Sequence, residues 1–468
     1  MGSPTTSNST FPHEQSAVWI FFGDLDTSQV SIKELSKTKQ FANIFYGLSQ
    51  TMHKWIAFTL LAFPATVSAS PTASAIQHLI VIIQENHSFD SYFGRYCQAP
   101  TGSNPSCNQG PECCEAGPAR DPGTGIEPGV LDDTSNIAYD PNHSRACEKK
   151  EMHHGRMDRF VSARCADRRN FTYASRESVS LYFTLADHYA LADRYFQPVA
   201  GASSSNDMYF ARAQYVFTDN NYWPKSVGSI CHEGAKRHFD GPTIGDLLNQ
   251  KSVSWAFYHE GYAPARAAHI AGRCMAPDPV CVQQTGGIGE CTYDPSDNPF
   301  QYYLSNRDNP SVTKDYQDFA PAIRSGTLPS VVFMKPYEGK TEHPGAAISV
   351  GMSFISEVLN EVKNSPYAEN TLILITADES GGFFDHISPP KRSPVDHQLY
   401  GPRIPMLAVG PFALKGGISH TQMEHASVVR FIEWNWLGAT GQLHGRDQIV
   451  AGIGSLLDPT RTGANVPR

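Results

Sequence analysis

Several features are missing from this sequence of 468 residues, and each absence excludes a class of protein. No basic run occurs and the formal net charge is −9, which argues against a nucleic-acid-binding protein. The sequence contains no pair of Cys-x-x-Cys motifs, which argues against a structural zinc site. No Gly-x-Ser-x-Gly motif is present, which argues against the nucleophile elbow of an α/β-hydrolase. The sequence also contains no internal repeat.

Cysteine is absent from both ends of the chain. All ten cysteines lie between Cys97 and Cys291, and a segment near the N-terminus has the parts of a secretory signal. An even cysteine number in a secreted chain predicts disulfides, although the sequence does not give their connectivity. The part of the chain after Cys291 must therefore be held together by packing alone.

The N-terminal signal begins unusually late. A basic start at Met52–Lys54 precedes the apolar run 55–63 and a stretch of small residues. We interpret residues 52–69 as a signal peptide, too short to span a membrane comfortably, and 1–51 as an extension outside the core. An N-terminal arm followed by a buried helix is the alternative. The prediction is a secreted protein with one folded domain over 70–468 and no integral membrane segment in the mature chain.

Apolar runs alternate with helical patterns through much of the remaining chain. Strands are predicted within 78–83, 253–262, 330–336, 371–380 and 404–411, and helices within 180–196, 346–366 and 426–438. Strands that are apolar almost throughout and alternate with helices predict an α/β fold, with a mainly parallel central sheet flanked by helices. Two loop-rich, Cys-rich insertions, 97–150 and 263–300, interrupt the pattern.

Two of the predicted strands end in pairs of oxygen donors. Glu85 and Asn86 follow the first apolar run, and Asp378 and Glu379 follow the run at 372–376. Ligands of open α/β sheets bind beyond the carboxyl ends of strands. Either pair alone could be a helix cap or an ion-pair partner. Together, three carboxylates and one amide at matching strand ends predict a divalent metal ion of unspecified identity.

A serine-rich loop and several histidines could complete such a site. The loop Gly201–Asp207 reads GASSSND, and a serine there could be a nucleophile activated by the metal; an ordinary turn is the alternative. Among the histidines, we favour His143, His343 and His386. They lie in loops rich in Gly and Pro, which are typical of a site rim, and imidazole can protonate a leaving oxygen.

Four motifs in order resemble one family. The stretches IQHLIVIIQENHSFDSYFG, DRYFQPVAGASSSNDMY, EHPGAAISVGMSFI and LILITADESGGFFDHISPP are similar to the phosphoesterase family of bacterial-type phospholipases C and acid phosphatases. The resemblance covers roughly residues 75–440. It implies the alkaline-phosphatase-like fold, which sulfatases share, and a phosphoesterase catalytic domain over 70–468.

The resemblance also implies roles by position. It implies two metal-binding pairs, Glu85 with Asn86 and Asp378 with Glu379. It implies Ser203 as the nucleophile, and His143, His343 and His386 as functional histidines. The nucleophile loop departs from the pattern of the phospholipase members, which leaves Ser204 as a neighbouring candidate. Asp207 also stands where those members carry an arginine, which weakens any transfer of phospholipid specificity.

The function implied is a secreted, metal-dependent phosphoric ester hydrolase that forms a phosphoseryl intermediate. Its substrate is a phosphate monoester or a phospholipid; the changed loop favours acid phosphatase-like activity, and no oligomeric state is predicted. A sulfatase is one alternative, because Ser388–Arg392 fits part of the sulfatase signature although it follows the second metal pair. A non-catalytic secreted binding protein on the same scaffold is another.

After the predicted signal peptide, three sequons offer attachment points for glycans in a secreted eukaryotic chain. They begin at Asn86, Asn142 and Asn170. A glycan on Asn86 is incompatible with metal ligation, so we predict modification only at Asn142 and Asn170.

Overall fold

A sheet of eight strands forms the centre of residues 72–468, the part of the chain that the computed structural model describes. The strands are β1 (His78–Gln84), β2 (Gly129–Leu131), β3 (Thr172–Ala174), β4 (Ala190–Ala192), β5 (Trp223–Pro224), β6 (Lys236–Arg237), β7 (Trp255–His259), β8 (Thr313–Asp315), β9 (Val331–Lys335), β10 (Thr371–Ala377), β11 (Met406–Val409) and β12 (Ile418–Ser419). The central sheet has the order β12-β4-β11-β10-β1-β9-β7-β8, and β2-β3 and β5-β6 form two small sheets.

The central sheet is mainly parallel, as predicted. Every neighbouring pair runs in parallel except those that include β11, which is antiparallel to both β10 and β4. The predicted signal peptide 52–69 and extension 1–51 lie outside the described residues. No helix among residues 72–468 is long and apolar enough to cross a membrane.

Strand β1 shows why the strands read as continuous apolar runs. All seven of its residues are buried. Leu79, Val81 and Ile83 pack into one hydrophobic cluster, whereas Ile80 and Ile82 pack into a second. Because successive side chains of a strand point to opposite faces, both faces of the sheet are covered and both must be apolar.

Helices cover these faces. They are α1 (Phe89–Phe93), α2 (Asp133–Ala138), α3 (Arg145–Glu151), α4 (Ser180–His188), α5 (Ser203–Arg212), α6 (Ile244–Gln250), α7 (Tyr262–Ile270), α8 (Pro279–Thr285), α9 (Phe319–Ser325), α10 (Ile348–Lys363), α11 (His425–Ile432) and α12 (Pro459–Thr462). Helix α10 is amphipathic as predicted, with Phe354, Ile355, Val358 and Val362 buried along one face.

The C-terminal ends of two predicted helices can be compared with the structure. The helix predicted over 180–196 ends at His188, because residues 190–192 form β4 between β11 and β12. Pairing within the sheet overrides the local helical pattern there. The last predicted helix is confirmed: α11 continues into a π-helical turn, Glu433–Leu437, and stops at Gly438, whose φ is +79°.

All ten cysteines pair, which confirms the predicted disulfides. The five bonds join Cys97 with Cys114, Cys107 with Cys113, Cys147 with Cys165, Cys231 with Cys274, and Cys281 with Cys291. Each closes a local loop of at most 43 residues. The disulfides therefore fix the long connections, and the sheet itself depends on packing.

The asparagines of the two remaining sequons differ in their exposure to solvent. Asn142 is exposed. Asn170 is fully buried, and its amide donates to Glu151 Oε1 (2.9 Å) and accepts from the Tyr139 hydroxyl (2.7 Å). The expectation of a glycan on Asn170 is therefore wrong for the folded protein, because no room exists for a sugar on that nitrogen.

We expect Asn142, and not Asn170, to carry the glycan when the protein is secreted from a eukaryotic host. Enzymatic deglycosylation in heavy-oxygen water, followed by peptide mass spectrometry, should label Asn142 alone. A labelled Asn170 in folded, monodisperse protein would show that the segment around it is placed differently.

Candidate active site

The central strands deliver charged side chains to one edge of the sheet. Gln84 of β1 pairs with Ala377 of β10, so Glu85 and Asp378 leave the sheet side by side. Lys335, the last residue of neighbouring β9, ends at the same edge. Its Nζ contacts Glu85 Oε1 and lies 3.6 Å from Asp378 Oδ2. The two strand ends singled out in the sequence therefore do meet.

A tight turn brings in the second member of each pair. Gly381 has a φ of +64°, and any side chain there would overlap the backbone of Asn86. Its amide donates to Glu379 Oε2 (2.8 Å). This close approach of the two loops places Asn86 and Glu379 beside Glu85 and Asp378.

Ser203 begins helix α5 and faces these residues. Its hydroxyl donates to Asn86 Oδ1 (3.4 Å). Burial raises the pKa of the neighbouring Asp378 carboxyl, and the Ser203 hydroxyl partly opposes this rise. Ser205 instead donates to the carbonyl of Ala202. Within the described residues, the cavity over this point is lined by Ser203 and not by Ser204, so the geometry favours Ser203 of the two candidates.

The cavity holds about 130 Å³ and is strongly polar. Its wall combines two histidines, a pair of aromatic rings and several acidic or amide side chains: Glu85, His143, Ser203, Asn220, Tyr222, Trp223, Asp294, Ser296, Asp297, Glu338 and His343. A space of this size and polarity suits a small, charged group.

His143 and His343 both line the cavity and meet edge to face, with ring centroids 5.9 Å apart. Each Nδ1 donates to a backbone carbonyl, of Pro141 (2.8 Å) and of Pro344 (2.7 Å) respectively, and Nε2 of His143 lies 3.8 Å from Glu379 Oε1. Burial opposes protonation of His143, but Glu379 and Asp140 outweigh it and raise its pKa to about 10.

His386 lies elsewhere, in a buried ion cluster. Its Nδ1 pairs with Asp90 Oδ2 (2.6 Å) and its Nε2 lies 3.4 Å from Glu115 Oε2. Arg403 closes the cluster by binding Asp90 and Asp385, both at 2.9 Å. Both ring nitrogens of His386 thus face carboxylates, and among the described residues it does not line the cavity. The geometry does not support the expectation that it acts on a substrate.

Comparison with known proteins identifies the family. The sequence profile of the Phosphoesterase family matches residues 76–437, more than three quarters of the chain. The chain belongs to the phosphoesterase family. The matched region contains the motif after β1 and the motif after β10, in the same order as in the family.

Curated relatives of this phosphoesterase-family chain are phospholipases C by name. A non-hemolytic phospholipase C of Burkholderia pseudomallei is 23% identical over 80% of this chain and 57% of its own length. Phospholipase C B of Mycobacterium tuberculosis is 23% identical over 76% of this chain and 72% of its own length. Non-specific phospholipase C3 of Arabidopsis thaliana is 21% identical over 76% and 69%. The chain thus spans little more than half of the Burkholderia protein.

Solved structures similar to it include a protein in the alkaline phosphatase superfamily from Vibrio parahaemolyticus. That match has 10% identity and a TM-score of 0.35, and covers 83% of this chain and 75% of the other. A phosphonate monoester hydrolase from Silicibacter pomeroyi matches with 12% identity and a TM-score of 0.32, over 60% of this chain and 71% of its own.

The donor set at the strand ends fits a divalent cation. Asp378 Oδ2 and Glu379 Oε1 are buried and accept no hydrogen bond. Burial raises the pKa of both carboxyls well above their usual range, and neighbouring carboxylates add to this effect. Burial also opposes ionisation of Glu85, but the Lys335 ammonium holds its pKa below the ordinary value. One lysine does not balance this much buried negative charge, and a divalent ion bound by oxygen donors would.

In the described part of the chain, the acids and histidines whose ligand atoms come close enough for one ion are a different set. One ligand atom each of Asp140, His143 and His343 lie within 4.8 Å of one another. This set shares no residue with the four at the strand ends. The two sets differ in chemistry, because one is all oxygen and the other contains two imidazoles.

Several residues around the site were not anticipated from the sequence. Lys335 is one, although a lysine that ends a buried strand is the same kind of signal as Glu85. Asp207, the residue that departs from the phospholipase pattern, accepts a hydrogen bond from Lys335 Nζ at 3.3 Å. Asp297, from the second Cys-rich insertion, lies 3.6 Å from the same nitrogen. Glu148 accepts from Gly201 N (2.7 Å) and Ser380 Oγ (3.1 Å), so it joins the serine loop to the turn after β10.

Glu151, one turn beyond Glu148, makes stability depend on pH. Burial and then the charge of Glu148 raise the pKa of Glu151 to about 9. The folded protein keeps this proton, whereas the unfolded chain releases it near pH 4.5. The unfolded state therefore binds fewer protons between these values, and the free energy of unfolding falls as pH rises from about 4.5 to about 9.

We expect Glu151→Gln to remove this contribution, on the order of a few kcal/mol across that window. Urea unfolding at pH 5, 7 and 8.5 should give a flatter pH dependence for the variant than for the wild type. Glu127→Gln, at an exposed carboxylate paired with Arg120, should leave the slope unchanged. Equal slopes for wild type and Glu151→Gln would contradict the buried, protonated state.

Proposed function

We propose that this protein is a metal-dependent phosphoric ester hydrolase whose nucleophile is Ser203. The observation that carries the proposal is the position of the Ser203 hydroxyl. It lines a polar cavity, donates to Asn86 and lies near enough to Asp378 to influence its pKa; these two residues come shortly after the two central strands. Family membership supports the same reaction class.

Glu85, Asn86, Asp378 and Glu379 would hold the divalent ion. When bound, such an ion stabilises the serine alkoxide and withdraws charge from a phosphoryl oxygen. The N-terminus of α5 adds to this effect, since Ser203 is the first residue of a ten-residue helix and its oxygen meets the positive end of the helix dipole.

The reaction then proceeds in two displacements. Ser203 loses its hydroxyl proton to solvent, its Oγ attacks phosphorus, and the bond from phosphorus to the leaving oxygen breaks to give phosphoserine. His143 or His343 gives its Nε2 proton to the departing alcohol. The same nitrogen then takes a proton from the water that attacks phosphoserine. The bond from phosphorus to Ser203 Oγ breaks, phosphate leaves, and Oγ regains from solvent the proton it released at the start.

Small, soluble phosphomonoesters are the substrates that the cavity fits best. About 130 Å³ lined by polar groups accommodates a phosphate with a short alcohol, not an acyl chain. Asp207 in place of an arginine also separates this chain from its phospholipase relatives. We further propose that the protein is secreted, since five disulfides suit an oxidising compartment.

Phospholipase C activity is the second candidate, and one surface feature favours it. Five of the eight exposed large aliphatic side chains in the described part of the chain lie between residues 230 and 288: Ile230, Ile270, Val280, Val282 and Ile288. The same stretch leads into Asp294 and Asp297 of the cavity wall. An apolar surface there could rest on lipid while the headgroup enters the cavity.

The sulfatase alternative loses its support. Ser388, the first residue of the partial sulfatase signature, packs beside Gly155. Within residues 72–468, no member of 388–392 lines the cavity. The serine that does line it belongs to the loop that matches the phosphoesterase pattern.

Ser203→Ala should lower kcat on an aryl phosphate by several orders of magnitude, because the nucleophile is lost. Ser204→Ala is the matched control and should keep most of the activity. Phosphatidylcholine vesicles assayed beside the aryl phosphate decide between the two substrate classes. Unchanged turnover of both substrates by Ser203→Ala would refute the assignment, and an inactive Ser204→Ala with an active Ser203→Ala would move it by one residue.

The variants His143→Gln and His386→Gln should have different main effects, the first on kcat and the second on the melting temperature. His143→Gln should lower kcat by about 10²–10⁴-fold in the protein that stays folded, because it removes a proton donor at the cavity. His386→Gln should lower the melting temperature, because it leaves Asp90 and Glu115 short of a buried cation, and the protein that stays folded should keep its kcat. The reverse pattern would place the proton donor in the ion cluster instead.

A further inference from the structure

Glu342, the residue before the cavity histidine His343, has a rare backbone conformation. Its φ is +72°, a left-handed value that is costly for any residue with a β-carbon. The residue is also buried, with 1% of its surface exposed. Such a conformation persists only where the surrounding structure holds it, so the contacts of Glu342 show what it depends on.

The carboxylate of Glu342 is fixed by donors from three elements. The hydroxyls of Tyr92 and Tyr182 donate to its Oε2 at 2.6 Å and 2.8 Å, and Gln84 Nε2 donates to its Oε1 at 3.3 Å. Helix α10 leaves room for this side chain, because any side chain at Gly351 would overlap Glu342 Cγ. The side chain is therefore tied to α1, α4 and the end of β1.

The backbone carbonyl of Glu342 is held as well. It accepts from Asn136 Nδ2 at 2.9 Å and from His87 Nε2 at 3.1 Å. Contacts to both the side chain and the carbonyl thus keep the left-handed turn in place. His343 follows directly and lines the cavity, so the direction in which its side chain leaves the backbone is set by this turn.

We infer that Glu342 is a positioning residue for the proposed hydrolysis: its anchored side chain holds the turn that directs the imidazole of His343 into the cavity. Within residues 72–468, the cavity wall does not include Glu342, so it acts through its neighbour. A glycine would adopt this φ at lower cost but would offer no carboxylate to the two tyrosines. The inference rests on the proposed function, in which His343 is one of two possible proton donors, and adds the residue that aims it.

The variant Glu342→Ala tests the inference. It removes the anchor and leaves a β-carbon at the left-handed φ, so the turn should relax and the His343 ring should move. The quantity to measure is kcat/KM on glycerol phosphate, because it reports the first displacement and this alcohol needs a proton to leave. A misplacement of about 1 Å can cost about 10²-fold in rate, and we expect a loss of that order.

Two comparisons distinguish positioning from a general loss of structure. Nitrophenyl phosphate releases a stable phenolate that needs little protonation, so its kcat/KM should fall much less than that of glycerol phosphate. Glu342→Gln should recover most of the lost rate, because its amide oxygen can accept from both tyrosines. Its amide nitrogen can donate to Gln84 Oε1, a buried atom that has no hydrogen-bond partner among the described residues.

A double-mutant cycle with His343→Gln is the decisive experiment. In that background Glu342→Ala should lower kcat/KM on glycerol phosphate by no more than about twofold further, because the group that it aims is gone. The matched control is Glu433, a fully buried glutamate that accepts from three backbone amides. Glu433→Ala should lower the melting temperature and leave the kcat/KM of the folded protein unchanged.

The two tyrosines provide a milder route if Glu342→Ala does not fold. Tyr92→Phe and Tyr182→Phe each keep the ring and remove one donor to Glu342 Oε2. Combined, they should lower kcat/KM on glycerol phosphate in the wild-type background and not in His343→Gln.

Equal losses in both backgrounds would overturn the inference, because Glu342 would then act on the fold as a whole. An unchanged kcat/KM in folded Glu342→Ala would overturn it too. An unchanged kcat/KM in His343→Gln would also overturn it, and would leave His143 as the proton donor of the proposed function. An active Ser203→Ala would instead remove the proposed function, whatever the cycle shows.

Discussion

Four buried carboxylates around one ammonium group are the constraint on which the rest of this structure depends. Parallel strands end at a common edge, so the residues after β1, β9 and β10 cannot avoid one another. Carboxylates taken from water and held this close require cations, and an unpaired one would destabilise the fold. Lys335 supplies part of that charge permanently. The remainder is the charge that we propose a divalent ion balances during the proposed hydrolysis.

Access to solvent separates the two polar centres of the molecule. His143 and His343 line the cavity, and Nδ1 of each donates to a backbone carbonyl. In the ion cluster, both ring nitrogens of His386 face carboxylates. The same residue type thus offers a movable proton in one place and a fixed buried cation in the other. The side chains that surround a histidine in the fold, and not the sequence motif that contains it, decide between these two roles.

The sequence allowed the central sheet and half of the candidate site to be predicted, for a physical reason. Apolar runs mark buried strands, and parallel strands bring the polar residues beyond Ile83 and Thr376 to one edge. The same rule applied to Phe333–Lys335 would have found Lys335. Asp297 could not be found this way, since its position depends on the path of a disulfide-tied loop. The sequence did not separate His386 from the two cavity histidines, because a Gly- and Pro-rich setting describes the backbone of a loop and not the surroundings of its side chains.

The second Cys-rich insertion carries Asp294 and Asp297 to the cavity wall, and Asp297 also faces Lys335. A loop that shapes which alcohol fits is thereby also part of the charge balance beneath the nucleophile. A graft of this insertion from a relative would have to return a carboxylate to Lys335. The proposed substrate cavity and the buried charge balance beneath it therefore share one side chain, and an exchange of this loop would change both at once.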